Sequence, residues 1–261
     1  MLLPAVGGLE IDWKAREIAS DLRVPPDLPV VVRVDGWRFR KLAEELKLTR
    51  PYDRRLAEAL VYAARGVMEG GLGSNLAYCF SDEISFILQP PLPFSGRVEK
   101  LVSLTASVVA ARVSKHLSHA FGRDVEVTFD GRVVLIVPGE EHLYLAWRQA
   151  EALRNNLNSY ALHALETSRG LTRREAAEFL KGLKKDQLRH LIAELLKIEP
   201  ESTPAWQRLG ILLYFRRVKH RGFNPLTGEP VLYTRRELVE DWNPPLFKSP
   251  SSLDFLRRVL S

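Results

Sequence analysis

Alternation with period two and apolar stripes with period 3.6 divide most of the chain into strands and helices. The apolar run Val30-Val31-Val32-Arg33-Val34 follows a proline-rich break at Val24-Pro25-Pro26-Asp27-Leu28-Pro29 and predicts a first strand ending at Asp35-Gly36. A short charged helix is expected within residues 14 to 28. Phe39, Leu42, Ala43 and Leu46 have helical spacing, and Pro51 opens a second helix reaching about Glu69, with Leu56, Leu60, Val61, Ala64 and Val67 on one face. The alternating run 75 to 89 has Ser81-Asp82 near its centre, which predicts a hairpin. The next helix, about 97 to 120, carries Val98, Leu101, Val102, Thr105, Val108 and Val109 on a stripe suited to covering one face of a sheet. Val125-Glu126-Val127 and Val133-Val134-Leu135-Ile136-Val137 read as two strands flanking Phe129-Asp130-Gly131-Arg132. This order predicts an α+β fold, an antiparallel sheet with helices on one face.

From 139 to 197 the pattern is helical, with one helix over Trp147 to Leu165 and a capping box, Thr172-Arg173-Arg174-Glu175, opening another. Strand-like runs return at Ile211-Leu212-Leu213-Tyr214-Phe215 and Val231-Leu232-Tyr233, joined by Asn224-Pro225-Leu226-Thr227-Gly228. The expected organisation is a catalytic domain over 1–138 and a mainly helical C-terminal region over 139–261, with a soft boundary near Pro138.

Two acid motifs stand on the predicted strands, Asp35-Gly36 and Ser81-Asp82-Glu83. A sheet fixes the backbone, so a carboxylate on it needs one or two rotamers to reach its target. Two carboxylates and a backbone carbonyl suit Mg²⁺, which prefers oxygen ligands and keeps several waters beside substrate phosphates. The competing reading is of idle acids in turns, where such residues are favoured.

Composition then narrows the partners. Lys and Arg number 38 against 32 Asp and Glu, a net charge of +6, which favours an anionic partner such as nucleic acid. Basic clusters at Arg173-Arg174, Lys184-Lys185, Arg216-Arg217, Lys219-His220-Arg221 and Arg235-Arg236 bias the second half toward a phosphate backbone. The single cysteine, Cys79, excludes internal disulfides and cysteine-rich zinc sites and fits a reducing cytosol. His116 and His119 are spaced three apart on a helix and read as ordinary helix surface. No segment has the roughly 18 uninterrupted apolar residues of a membrane helix, and Met1 to Trp13 lacks the pattern of a signal peptide. A soluble, cytoplasmic protein is expected.

Six motifs in order carry a family resemblance: Arg33-Val34-Asp35-Gly36-Trp37-Arg38-Phe39, Arg50-Pro51-Tyr52-Asp53, Ala77 to Phe86, Phe129-Asp130-Gly131-Arg132-Val133-Val134, Trp147-Arg148-Gln149-Ala150-Glu151 with Asn155-Asn156, and Pro204 to Gly210. Across roughly residues 30 to 215 the chain resembles the tRNA-His guanylyltransferases and their tRNA-repair relatives, the 3′-to-5′ RNA polymerases. The resemblance implies a palm-like catalytic sheet related to polymerases and nucleotide cyclases, two Mg²⁺ ions, tRNA, GTP and ATP as partners, and a homotetramer. It implies that Asp35, the Gly36 carbonyl and Asp82 hold the metals, with Glu83 adjacent and supporting. It implies that Arg50, Ser81 and Arg132 grip triphosphate and that Asp53, Lys100, Asn155 and Asn156 line the nucleotide or tRNA-end site. Arg154, Lys184, Lys185, Arg216 and Lys219 are the candidate tRNA contacts.

The departures from the family fall on the parts that choose nucleotide and tRNA. Leu153-Arg154-Asn155-Asn156 stands where the eukaryotic type reads His-Ile-Asn-Asn, Glu151 where it has Asp, Arg50-Pro51-Tyr52-Asp53 where it has Lys-Pro-Asn-Asp, and Trp37-Arg38-Phe39-Arg40 where it has Arg-x-Phe-His. Leu153 offers no hydrogen bond to a base, so template-directed repair of the tRNA 5′ end is the expected activity and addition of a single guanosine to histidine tRNA the alternative. A palm-type cyclase is disfavoured because its Gly-Gly-Asp/Glu-Glu-Phe turn is absent at Phe80 to Phe86, and a non-catalytic tRNA-binding protein because Asp35 and Asp82 are intact.

Overall fold

Strand β1 (Val30–Trp37) runs through the middle of an antiparallel sheet, and the chain builds outward from it. After β1 come α1 (Phe39–Glu45), α2 (Arg54–Glu69), the hairpin β2 (Ser74–Phe80) and β3 (Glu83–Leu88), α3 (Val98–Phe121) and β4 (Thr128–Leu135). The second half contributes α4 (Glu141–Arg169), α5 (Arg173–Leu180), α6 (Lys185–Leu196), α7 (Ala205–Leu209), the hairpin β5 (Ile211–Phe223) and β6 (Pro230–Asp241), and α8 (Pro250–Leu260). The computed structural model describes residues 12–260; residues 1–11, most of the stretch compared above with a signal peptide, lie outside them.

The sheet has six strands in the order β4-β1-β3-β2-β5-β6, so strands from both sides of Pro138 share it. Successive strand side chains point to opposite faces. Val30, Val32 and Val34 lie with Ala77, Cys79, Ile84 and Phe86 on the face that α2 and α3 cover with Leu60, Ala64, Val109 and Val113. Val31, Leu76, Tyr78, Ile87 and Leu212 lie on the other face, against Tyr144 and Leu145 of α4, Leu256 of α8 and Phe247. The expected helical layer is therefore present, and the C-terminal half supplies a second. A third cluster, with Leu157 and Leu165 of α4, Ala176 of α5 and Leu191 and Ile192 of α6, holds the helical part together. Truncating a fully buried member such as Leu60 to alanine costs about 2–5 kcal/mol.

Local chemistry explains where elements differ from expectation. The second helix begins at Arg54 rather than Pro51 because Asp53 is its cap, accepting a hydrogen bond from the Arg55 amide at 2.9 Å. Val125 and Val127 form no strand of their own, because their amides donate to the hydroxyls of Ser118 and Ser114 on α3. One strand follows, and Asp130-Gly131 lie inside it. Gly131 suits a packed strand there, since a Cβ at this position would stand 3.0 Å from Val102 of α3. The short runs expected at 211–215 and 231–233 are parts of one long hairpin, paired from Leu212–Asp241 to Phe223–Pro230. The helix expected over Trp147 to Leu165 extends to Glu141–Arg169, and the short helix expected within 14–28 is a single 3-10 turn, Lys14–Arg16. The capping box at Thr172 and Glu175 forms as expected.

Candidate active site

Two rows of charged side chains cross the sheet on its α4 face. Asp35 of β1 stands opposite Glu83 of β3 on one side and Asp130 of β4 on the other. Two residues along, Arg33 stands opposite Ser85 and Arg132. Alternation places both rows on the same side as Val31, under the start of α4. Like charges directly opposite across strands destabilise a sheet, so each acid calls for a cation. Asp130 has Arg132 at 2.6 Å. Glu83 is held by Arg148 of α4 through two bonds, Nε to Oε1 at 2.9 Å and Nη2 to Oε2 at 2.7 Å, with Arg33 at 3.8 Å. The Asp35 carboxylate has no hydrogen bond or ion pair among the described residues.

Asp82 reaches the same place from the β2–β3 turn. Ser81 and Asp82 are its two residues, and Ser81 takes the left-handed φ of 54° that tight hairpins demand. The Gly36 amide donates to the Asp82 carbonyl at 3.0 Å, which ties the turn to β1 beside Asp35. Gly36 is required by packing: a Cβ there would stand 2.3 Å from the Phe39 ring. Burial pushes the Asp82 carboxyl above the ordinary aspartate range and the Asp35 charge pushes it further, while a hydrogen bond from Ser81 opposes both. Burial likewise raises Glu83, against the pull of Arg148 and Arg33. One acid without a partner beside a second whose ionised form is disfavoured by burial and by that neighbour is an arrangement a hard cation would relieve, so the donor set fits Mg²⁺.

A cavity of about 310 Å³ opens beside Asp82 and is lined by Arg50, Tyr52, Asp53, Ser81 and Trp206, among others. Four residues singled out from the sequence, Arg50, Asp53, Ser81 and Asp82, thus share one space. Arg50 is half-exposed and pairs with Glu166 of α4 at 3.0 Å. Burial alone would raise the Asp53 carboxyl, but hydrogen bonds from Arg55 and the Thr49 amide outweigh it, and its pKa is lowered. Burial pushes the Tyr52 phenol up to about 12, so it stays a hydrogen-bond donor. Asn156 is buried and donates to the Gln207 carbonyl, which anchors α4 at the cavity's wall, and Asn155 is half-buried on the same helix. Lys100 lies on α3 and is not among the residues lining the cavity. Arg154 is exposed and paired with Glu151; Lys184 and Lys185 are exposed at the start of α6. Arg216 and Lys219 project from β5, where Arg216 meets Glu237 at 3.8 Å.

The family model described as tRNAHis guanylyltransferase matches residues 12–137, the stretch that carries both acid motifs. A Drosophila melanogaster protein named probable tRNA(His) guanylyltransferase is 31% identical over 208 residues, covering 78% of this chain and 72% of that protein. The chain belongs to the tRNA(His) guanylyltransferase family. It is accordingly a nucleotidyltransferase. A Mus musculus protein of the same name is 33% identical over 201 residues, covering 74% of this chain and 67% of its own length. The fold matches a bacterial tRNA(His) guanylyltransferase-like protein in complex with ATP, with a TM-score of 0.75, 22% identity and coverage of 95% of this chain and 98% of that one. It also matches the tRNA(His) guanylyltransferase of Saccharomyces cerevisiae, with a TM-score of 0.70, 23% identity and coverage of 78% and 93%. No described helix is long and apolar enough to cross a membrane.

Sequence reasoning did not single out Asp130, Arg33 or Arg148 for this guanylyltransferase-family site. Phe129-Asp130-Gly131-Arg132 reads as a turn, which hid that Asp130 completes the acid row. Arg148 grips a residue 65 positions away, and no local pattern carries that information.

Proposed function

We propose that this family member adds guanylate to the 5′ end of histidine tRNA by two-metal-ion phosphoryl transfer. The carrying observation is that Asp35, alone among the three acids of its row, has no partner and lies tied to Asp82 beside a cavity with Arg50 and Ser81. Asp35, the Gly36 carbonyl and Asp82 would hold two Mg²⁺ ions, which when bound neutralise phosphate charge and favour the attacking and leaving oxygens of an in-line displacement. Arg50, Ser81 and Arg132 bind the triphosphate, fixed charges and a hydroxyl donor for dense negative charge. Arg50 and Arg132 are oriented by Glu166 and Asp130, and a triphosphate must compete with those acids for them. The reading takes ATP and GTP as nucleotides, consistent with solved relatives in complex with each. A 5′-monophosphate is first joined to AMP from ATP with release of pyrophosphate, and the 3′-hydroxyl of GTP then displaces the AMP. Lys219 and its neighbours on the β5–β6 arm contact the tRNA backbone. The protein works as a cytoplasmic homotetramer, a state that light scattering measures directly.

The second reading, template-directed repair of truncated 5′ ends, is favoured by one position. Leu153 offers no hydrogen bond, and the exposed Arg154 beside it, paired with Glu151, can hold phosphate but reads no particular base when it does so. One tRNA body with the opposing base set to C, A, G or U, assayed for kcat/KM with all four triphosphates, decides between the two. Guanosine added fastest opposite every base, on histidine tRNA alone, supports the first reading. Selection of whichever nucleotide pairs, by about 1–3 kcal/mol or more, supports the second.

A further inference from the structure

Trp37 is the last residue of β1, two beyond Asp35 and therefore on the same side of the strand, opposite Thr128 of β4. Trp37 is 54% exposed, while Tyr78 and Phe86 of the same sheet are fully buried. The Arg38 guanidinium lies 4.0 Å from the ring centroid. Beside it is a cavity of about 150 Å³ lined by Trp37, Arg38, Lys41, Glu45, Glu126 and Thr128, among others. This cavity shares one lining residue with the larger one, Phe39, whose ring packs against Gly36. The two spaces thus lie on either side of α1, which starts at Phe39 just after the segment that carries Asp35 and Gly36.

Their charges differ. The larger cavity contains Arg40, Arg50 and Arg173 against Asp53 and Asp82, a net positive lining suited to phosphates. In the smaller one Lys41 is paired with Glu45 at 3.3 Å, and Arg38 and Glu126 carry opposite charges, so the lining is near neutral beside a half-exposed indole that carries the Arg38 guanidinium on one face. A triphosphate gains little there. An uncharged base gains a stacking platform that every base can use.

We propose that this smaller cavity receives the base of the RNA's 5′-terminal nucleotide, stacked on Trp37, which sets the 5′ phosphate over Asp35. The inference rests on the reading of the protein as an enzyme that joins a nucleotide to a tRNA 5′ end. The probe is 5′-monophosphorylated tRNA with fluorescent 2-aminopurine as its first nucleotide, whose emission is quenched by stacking. The wild type and Trp37→Phe quench it on binding; Trp37→Leu, which keeps apolar bulk without a π-face, and Trp37→Ala do not. Loss of the ring raises the KM for tRNA by about 10-fold and leaves the KM for GTP within about twofold. Quenching and tRNA KM unchanged in Trp37→Leu overturn the proposal, as does a rise confined to the KM for GTP, which would give this cavity to the nucleotide. A wild type that transfers nucleotide without quenching sinks this inference alone. A wild type that transfers none sinks the functional reading, and the quenching on binding still decides the stack.

Discussion

The acid face of β1, β3 and β4 and the arm of β5 and β6 handle charge in opposite ways. On the acid face every charge but one has a partner: Arg132 of the same strand for Asp130, and Arg148 and Arg33 of neighbouring elements for Glu83. On the arm, Arg217, Lys219 and Arg221 share one face, and none has an ion-pair partner among the described residues. Arg217 even stands opposite Arg236, a like-charged pair that weakens the hairpin. The other face of the arm is compensated, since Glu237 serves both Arg216 and His220. Charges satisfied from within fix a geometry, whereas charges left unsatisfied wait for a ligand. Asp35 and the Lys219 face are thus charged positions without an ion-pair partner, one suited to a cation and the other to a polyanion.

The largest expected effect is at Asp35. Asp35→Ala lowers nucleotide addition by about 1,000-fold or more, measured by single-turnover incorporation, and leaves the melting temperature unchanged or higher, because removing it relieves like-charge repulsion. A marked fall in stability would mean that Asp35 has a structural partner after all. Arg148→Ala shows the opposite profile. It leaves the buried Glu83 carboxylate with the more distant Arg33 and the Ser85 hydroxyl at 3.4 Å, and urea unfolding registers a loss of about 3 kcal/mol. An unfolding midpoint equal to that of wild type would remove Arg148 as the partner that fixes Glu83.

Smaller effects sharpen the same contrast. Asp53→Ala removes the α2 cap and costs about 1 kcal/mol at neutral pH. Because the folded-state pKa of Asp53 is depressed, its contribution is full above the ordinary aspartate range near 4 and is lost as pH falls through the folded value. The gap in melting temperature between Asp53→Ala and wild type therefore closes in strong acid; a constant gap would assign the effect to packing. Lys219→Ala changes stability by less than about 0.5 kcal/mol but weakens tRNA binding and reduces the slope of log K against log salt by about 0.9. Arg216→Ala, already paired with Glu237, changes that slope less. Equal slopes for the two variants would erase the distinction between the faces of the arm.

Much of the acid site was legible because alternation and turn chemistry are local. Apolar residues on both sides of Asp35 and a two-residue turn at Ser81-Asp82 place those acids without any knowledge of the rest of the chain. Asp130 was hidden because Asp-Gly is read as a turn, whereas here the glycine admits Val102 of α3 and the strand continues through it. The arm was read too short for a related reason. Arg216 to Arg221 interrupt the apolar alternation, and the pairing that makes them strand comes from β6. The second helical layer depends on residues of α4 and α8 that meet β1 and β2 only in the folded chain.

In the proposed function the unpartnered Asp35, tied to Asp82, makes this face a metal-dependent nucleotidyl-transfer site for the tRNA 5′ end. Its most direct test is transfer of label from α-labelled GTP to ATP-activated, 5′-monophosphorylated histidine tRNA across a Mg²⁺ titration, for wild type and Asp35→Asn. The account predicts label at the tRNA 5′ end that requires Mg²⁺ and is lost in Asp35→Asn while the fold persists. Undiminished transfer by folded Asp35→Asn, or no transfer by folded wild type at any Mg²⁺ concentration, would contradict it.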